Sequence, residues 1–133
     1  MLNPFPDLLY LSLLAPTILR LALGSVFFLE GYRRIFLNRE RFIALFSERW
    51  PLYGTQLLWL YGILELGIGV FLVLGLYTQV AALLSLFIVA SAIFVHHGSL
   101  FFVRGKVLHL LILAISVSLF MTGAGQFAFD LPL

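Results

Sequence analysis

Long apolar stretches separated by short polar segments make up most of this chain. A helix that crosses a bilayer needs about 20 mostly apolar residues, and four stretches approach that length: residues 8–30, 56–77, 80–97 and 107–122. The pattern therefore predicts an all-α integral membrane protein. We expect a four-helix up-down bundle that forms a single transmembrane domain over residues 1–133.

Two connecting segments refine this picture. Residues 33–50 interleave charged side chains with bulky apolar ones, which predicts an amphipathic helix in the membrane interface, starting near Asn38 and ended by Pro51. Only Thr78 and Gln79 separate the second and third apolar stretches, so we expect a tight antiparallel hairpin there.

Composition supports a membrane class and excludes others. The chain is 62% hydrophobic and 11% charged, with a mean hydropathy of +1.11, far above what a soluble domain exposes to water. The absence of cysteine excludes a disulfide framework and thiolate-held clusters. Fourteen phenylalanines without a basic groove do not indicate nucleic-acid binding. The first apolar stretch lacks a signal-peptide pattern, so we expect it to remain in the mature protein.

The distribution of Lys and Arg predicts the orientation. Five arginines lie between the first and second stretches, and Arg104 and Lys106 lie between the third and fourth, whereas the termini and the 78–79 turn have none. Because positive loops stay in the cytoplasm, we expect both termini on the non-cytoplasmic side of the cell inner membrane.

Two ionisable residues, Arg20 and Glu65, interrupt the apolar stretches. A charge inside a bilayer is costly, about 2.5–3.5 kcal/mol on insertion scales. Taking Gly31 and Leu57 as the cytoplasmic ends of the first two helices, the charges lie about 16 Å and about 12 Å deep. At helical spacing Gly24 and Gly31 share the face of Arg20, and Gly62 and Gly69 share the face of Glu65. These small residues allow close approach, so we expect an intramembrane ion pair. That pair either only fixes the packing or also lines a ligand cavity.

Four further polar residues are expected near the cytoplasmic ends of the helices: Glu30, His96, His97 and His109. Imidazoles beside a carboxylate can relay protons to a quinone or hydrogen-bond its carbonyl groups, and ordinary interfacial histidines are the alternative. Two histidines on different helices can also ligate a b-type haem. We expect haem to be absent, because these histidines lie near the membrane boundary. No spacing of His, Asp or Glu indicates a metal site.

The motifs, in their order, resemble those of the DoxX family of small membrane proteins. They are Arg20 to Gly24, Glu30 to Arg34, Glu65 to Gly69 with Gly75 to Thr78, and Gly123 to Asp130. The resemblance implies a four-helix membrane bundle associated with quinone-linked redox systems, including thiosulfate:quinone oxidoreductase and terminal quinol oxidase assemblies. The family's membrane arginine and glutamate correspond to Arg20 and Glu65.

The chain departs from the family pattern in two places. Gln79 stands where members often have a basic residue, and the fourth apolar stretch opens with Lys106, Val107 and His109 where members often have a glutamate. A site that depends on that carboxylate is either absent or rebuilt around His109.

Our first functional hypothesis is a membrane subunit of a quinone-linked oxidoreductase, with quinone as its cofactor and a redox protein or a second copy of the chain as its partner in the bilayer. The alternatives are a structural or assembly subunit without a ligand, and a carrier for a small apolar molecule.

Overall fold

A computed structural model describes residues 14–95, 106–125 and 128–129, and within these ranges the chain is helical with no strand. The helices are α1 (Leu14–Tyr32), α2 (Arg39–Arg49), α3 (Gly54–Leu74), α4 (Thr78–Val95) and α5 (Lys106–Thr122). A π-helical segment, Arg33–Leu37, continues α1. The all-α prediction is confirmed.

The observed bounds shift the predicted hairpin. The second apolar helix ends at Leu74, where Gly75 adopts a left-handed conformation with φ of 72° that costs glycine little. Thr78 and Gln79 therefore do not form the turn as predicted. They open α4, and the turn occupies residues 75–77.

Helices α1 and α3 pack most extensively, in an antiparallel arrangement. Glycines allow their backbones to approach: a Cβ at Gly31 would lie 2.7 Å from the Leu66 nitrogen, and a Cβ at Gly69 would lie 2.5 Å from the Phe28 nitrogen. The predicted close approach of these helices through small residues is confirmed. Their buried seam includes Leu23, Phe27, Ile68 and Leu72.

Helices α4 and α5 form the second antiparallel pair. The Ser85 hydroxyl donates to Ser116 Oγ at 2.8 Å, and both side chains are fully buried. Gly123, which follows α5, lies beside Gln79 near the start of α4. Contacts of α3 with α4 and of α1 with α5 join the two pairs.

Helix α2 is short and amphipathic. Its buried residues Phe42 and Phe46 pack on Leu58 of α3, while Arg39, Glu40 and Arg41 are exposed. A Cβ at Gly54 would lie 2.7 Å from the Ser47 nitrogen. The glycine therefore lets the end of α2 fold tightly against the start of α3.

The outer surface of the helices is apolar. Leu14–Leu37 and Gly54–Leu74 are long and apolar enough to cross a membrane, and Thr78–Ala92 and His109–Thr122 are shorter apolar helices. Ile18, Leu60, Phe87 and other large apolar side chains are exposed on these helices. Such a continuous apolar surface indicates a lipid environment or a partner.

Candidate functional site

Arg34 and Glu65 form a buried ion pair between the end of α1 and the middle of α3. Arg34 Nη2 lies 3.0 Å from Glu65 Oε1, and the two side chains are 1% and 0% exposed. No N–H of Arg34 points at Oε1 with hydrogen-bonding geometry, so the contact is an ion pair without a directed hydrogen bond. The attraction has to offset the cost of removing both charges from water.

The π-helical segment places Arg34 in this position. The Asn38 N–H donates to the carbonyl of Arg33, five residues back, at 2.8 Å. The buried residues of the π-helical segment are Arg34 and Ile35. Opposite them, Gly62 leaves room: a Cβ there would lie 2.6 Å from Ile35 Cγ1 and 3.9 Å from Arg34 Cδ. The extra residue of a π turn is common at functional sites.

Glu30 adds a second carboxylate to this pair. It lies one helical turn before Arg34 on the same face of α1 and is 4% exposed. Its charge acts on Glu65. We refer to Glu30, Arg34 and Glu65 as the polar cluster. It brings two carboxylates and one guanidinium to the same level of the apolar α1–α3 helix pair.

Two aromatic rings border the cluster. The Arg34 guanidinium carbon lies 5.2 Å from the ring centre of Phe42 on α2 and 6.0 Å from that of Tyr61 on α3. The Tyr61 hydroxyl reaches α4, where it lies 3.2 Å from Ser91 Oγ. The rings therefore separate the cation from the surface, and Tyr61 extends the polar contacts to a third helix.

The predicted partner of Glu65, Arg20, lies elsewhere. Arg20 is 2% exposed, packs against Gly75, and donates from Nη1 to the carbonyl oxygen of Ala124 at 2.8 Å. Gly75 is ten residues from Glu65, about 15 Å along α3. The predicted Arg20–Glu65 ion pair is therefore wrong. It assumed that the first helix ends near Gly31, whereas the π-helical segment extends it and brings Arg34 alongside α3.

The predicted histidine group is only partly described. His109 is buried in the first turn of α5. Ser85 of α4 pairs with Ser116 of α5, and His109 lies seven residues before Ser116. In this antiparallel pair His109 is therefore at the level of residues 91–92 of α4, which is also the level of Tyr61. His96 and His97 lie outside the described residues. Among the residues that are described, no group of three His, Asp or Glu side chains can hold a metal ion.

A groove of about 440 Å³ lies between α1 and α3 on their outer face. Its lining is Ser25, Phe28, Leu29, Val70, Val73 and Leu74. The Ser25 hydroxyl donates to the carbonyl of Leu21 at 2.7 Å, so the wall is effectively apolar. Such a groove accommodates a hydrocarbon chain.

Sequence reasoning identified Glu65 and Glu30 but missed Arg34, Phe42 and Tyr61. In the sequence Arg33 and Arg34 together look like the end of a span, which groups Arg34 with the loop arginines. Its spacing of four residues from Glu30 was an available signal, since it places both on one helical face.

Comparison with known proteins identifies the family of this chain. The DoxX family model matches residues 15–98, which confirms the resemblance seen in the sequence. The matched region contains the polar cluster and ends before the segment from Gly123 to Asp130. No curated protein and no solved structure matches the chain.

Proposed function

This chain belongs to the DoxX family of small membrane proteins, and on that basis we propose that it is a membrane subunit of a quinone-linked oxidoreductase system. In this proposal the polar cluster contacts the quinone head group. The observation that carries it is the fully buried Arg34–Glu65 pair with a second carboxylate, Glu30, beside it. Ionisable groups inside an apolar bundle are costly and commonly mark sites that bind ligands or move protons.

The residues of the cluster fit the chemistry of such a head group. A quinone takes up two electrons and two protons when it is reduced. Arg34 supplies N–H donors for a carbonyl oxygen, and the Glu65 and Glu30 carboxylates can accept protons or hydrogen bonds. Phe42 and Tyr61 border the cluster with aromatic faces suited to a flat ring.

The apolar groove between α1 and α3 suits the hydrocarbon tail of the same ligand. Leu29 of the groove is adjacent to Glu30, and Val70 lies five residues after Glu65. A tail in this groove would lie against the bilayer while the head group reaches the cluster.

We place the protein in the cell membrane as an up-down bundle of α1, α3, α4 and α5, with α2 in the interface. The exposed apolar faces support contact with lipid. The arginine-rich segment beside α2 supports a cytoplasmic position for that end and non-cytoplasmic termini. A redox protein or a second copy of the chain is the expected partner.

The test is to extract the purified wild-type protein with organic solvent and identify quinones by mass spectrometry. An unrelated membrane protein prepared from the same membranes supplies the background. We expect a quinone well above that background, and an absorption spectrum without a haem Soret band. A quinone content equal to the background would contradict the proposal.

A second function is favoured by the complete burial of the ion pair. Side chains that are 1% and 0% exposed also suit a structural or assembly subunit, in which Arg34 and Glu65 set the register of α1 on α3. That function requires no ligand, so quinone extraction separates the two.

A further inference from the structure

The Glu65 carboxylate accepts no hydrogen bond from the described residues. Glu65 Oε2 is fully buried, and no N–H or O–H among the described residues reaches it. Arg34 lies beside the other oxygen, Oε1. Buried carboxylate oxygens without a donor are rare in native proteins, because they give up the hydrogen bonds that water would supply.

The surroundings restrict what kind of donor can satisfy this oxygen. A second cation is disfavoured, because it would have to lose its hydration to enter an apolar helix pair. The helices around the cluster are apolar, so a group that arrives from the bilayer must be neutral. A neutral hydroxyl group meets both conditions, and a ring hydroxyl is the one that the proposed ligand supplies.

We propose that Glu65 Oε2 accepts a hydrogen bond from a hydroxyl group of the bound ring, so that the site prefers a hydroquinone to the corresponding quinone. This inference rests on the proposed function and specifies the redox form that the site binds. The oxidised ring presents only carbonyl acceptors, and a carbonyl oxygen facing the Glu65 carboxylate would be repelled. The reduced ring presents the matching donor.

Glu65→Gln gives a sharp test, because it exchanges acceptor for donor at one position. With Arg34 unchanged, the amide oxygen of the glutamine faces the guanidinium, and its NH₂ group occupies the place of Oε2. The variant should therefore favour the carbonyl of a quinone. Glu40→Gln removes the same charge from the exposed face of α2 and serves as the matched control.

The measurement is the Kd of the full-length protein in detergent for three probes: decylubiquinol, decylubiquinone and the dimethyl ether of decylubiquinol. Quenching of tryptophan fluorescence reports binding, since Trp50 packs on Phe46 in the cluster that includes Tyr61. We expect wild type and Glu40→Gln to bind the quinol at least about tenfold more tightly than the other two probes, the range for a hydrogen bond to a charged group. Glu65→Gln should lose or reverse this preference.

Equal binding of all three probes by wild type would overturn the inference and leave the proposed function standing. An unchanged preference for the quinol in folded Glu65→Gln would also overturn the inference. If wild type binds none of the probes, the inference and the proposed function both fail. The comparison of probes on wild type needs no variant, so it remains decisive even where Glu65→Gln does not fold.

Discussion

Arg34 of the π-helical segment and Glu65 of α3 lie 3.0 Å apart with both side chains buried, and this pair joins the end of α1 to the middle of α3. The ion pair and the glycine contacts around it together fix the register of α1 on α3. It also places the buried Arg34 guanidinium beside α2, where its carbon lies 5.2 Å from the ring centre of Phe42.

Removing one member of this pair should destabilise the protein strongly. Arg34→Leu leaves the Glu65 carboxylate without its cation in an apolar surrounding, which typically costs about 3–5 kcal/mol. We expect a large drop in the thermal unfolding temperature in detergent. Arg39→Leu is the control, since Arg39 is exposed and its guanidinium carbon lies 5.2 Å from the ring centre of Trp59, an interaction worth about 0.5–1 kcal/mol. Equal effects of the two variants would contradict the assignment.

The close approach of α1 and α3 predicts different outcomes for two neighbouring glycines. Gly69→Ala forces a methyl group against the backbone of Phe28 at 2.5 Å, and overpacking of this kind costs about 1–3 kcal/mol. Gly67→Ala is the matched control, because a Cβ there meets nothing within 4 Å. It should be neutral or stabilising by up to about 1 kcal/mol, from helix propensity. Thermal unfolding in detergent compares them, and similar losses at both positions would show that the observed register is incorrect.

These glycines also show what the sequence predicts well. Helical periodicity placed Gly31, Gly62 and Gly69 on the facing sides of their helices, since a spacing of seven residues returns to the same face. The four-residue spacing from Glu30 puts Arg34 on the buried face, but no propensity rule signals the π-helical segment that continues the helix there. The depth estimate for Arg20 failed for the same reason, since the end of the first helix was set too early.

Arg20 donates a hydrogen bond to Ala124, in the segment after α5, and this contact predicts a specific role for Gly75. Gly75 and Gly123 both have positive φ, 72° and 78°, so alanine at either position carries a similar backbone penalty of about 1 kcal/mol. A Cβ at Gly75 would also collide with the Arg20 guanidinium, whereas one at Gly123 meets only Gln79 at 4.0 Å. Gly75→Ala should therefore lower the unfolding temperature more than Gly123→Ala. The opposite order would mean that Arg20 does not pack as described.

The orientation can be tested with single cysteines, because the chain has none of its own. Arg41→Cys on α2 and Tyr77→Cys in the α3–α4 turn are at exposed positions that we predict to lie on opposite sides of the membrane. In intact cells, a membrane-impermeant thiol reagent should label Cys at 77 and not at 41. Labelling of position 41 alone would reverse the orientation and place α2 outside the cytoplasm.

The most direct measurement combines stability with bound quinone in the double variant Arg34→Leu/Glu65→Leu. Replacing both members removes the pair without leaving Glu65 as a carboxylate that has lost its cation, so most of the stability lost in Arg34→Leu should return. Our account predicts that this double variant unfolds near the wild-type temperature but retains at least about tenfold less quinone, measured by solvent extraction and mass spectrometry. A stably folded double variant that retains the wild-type amount of quinone would contradict the central claim that the Arg34–Glu65 pair contacts the ligand.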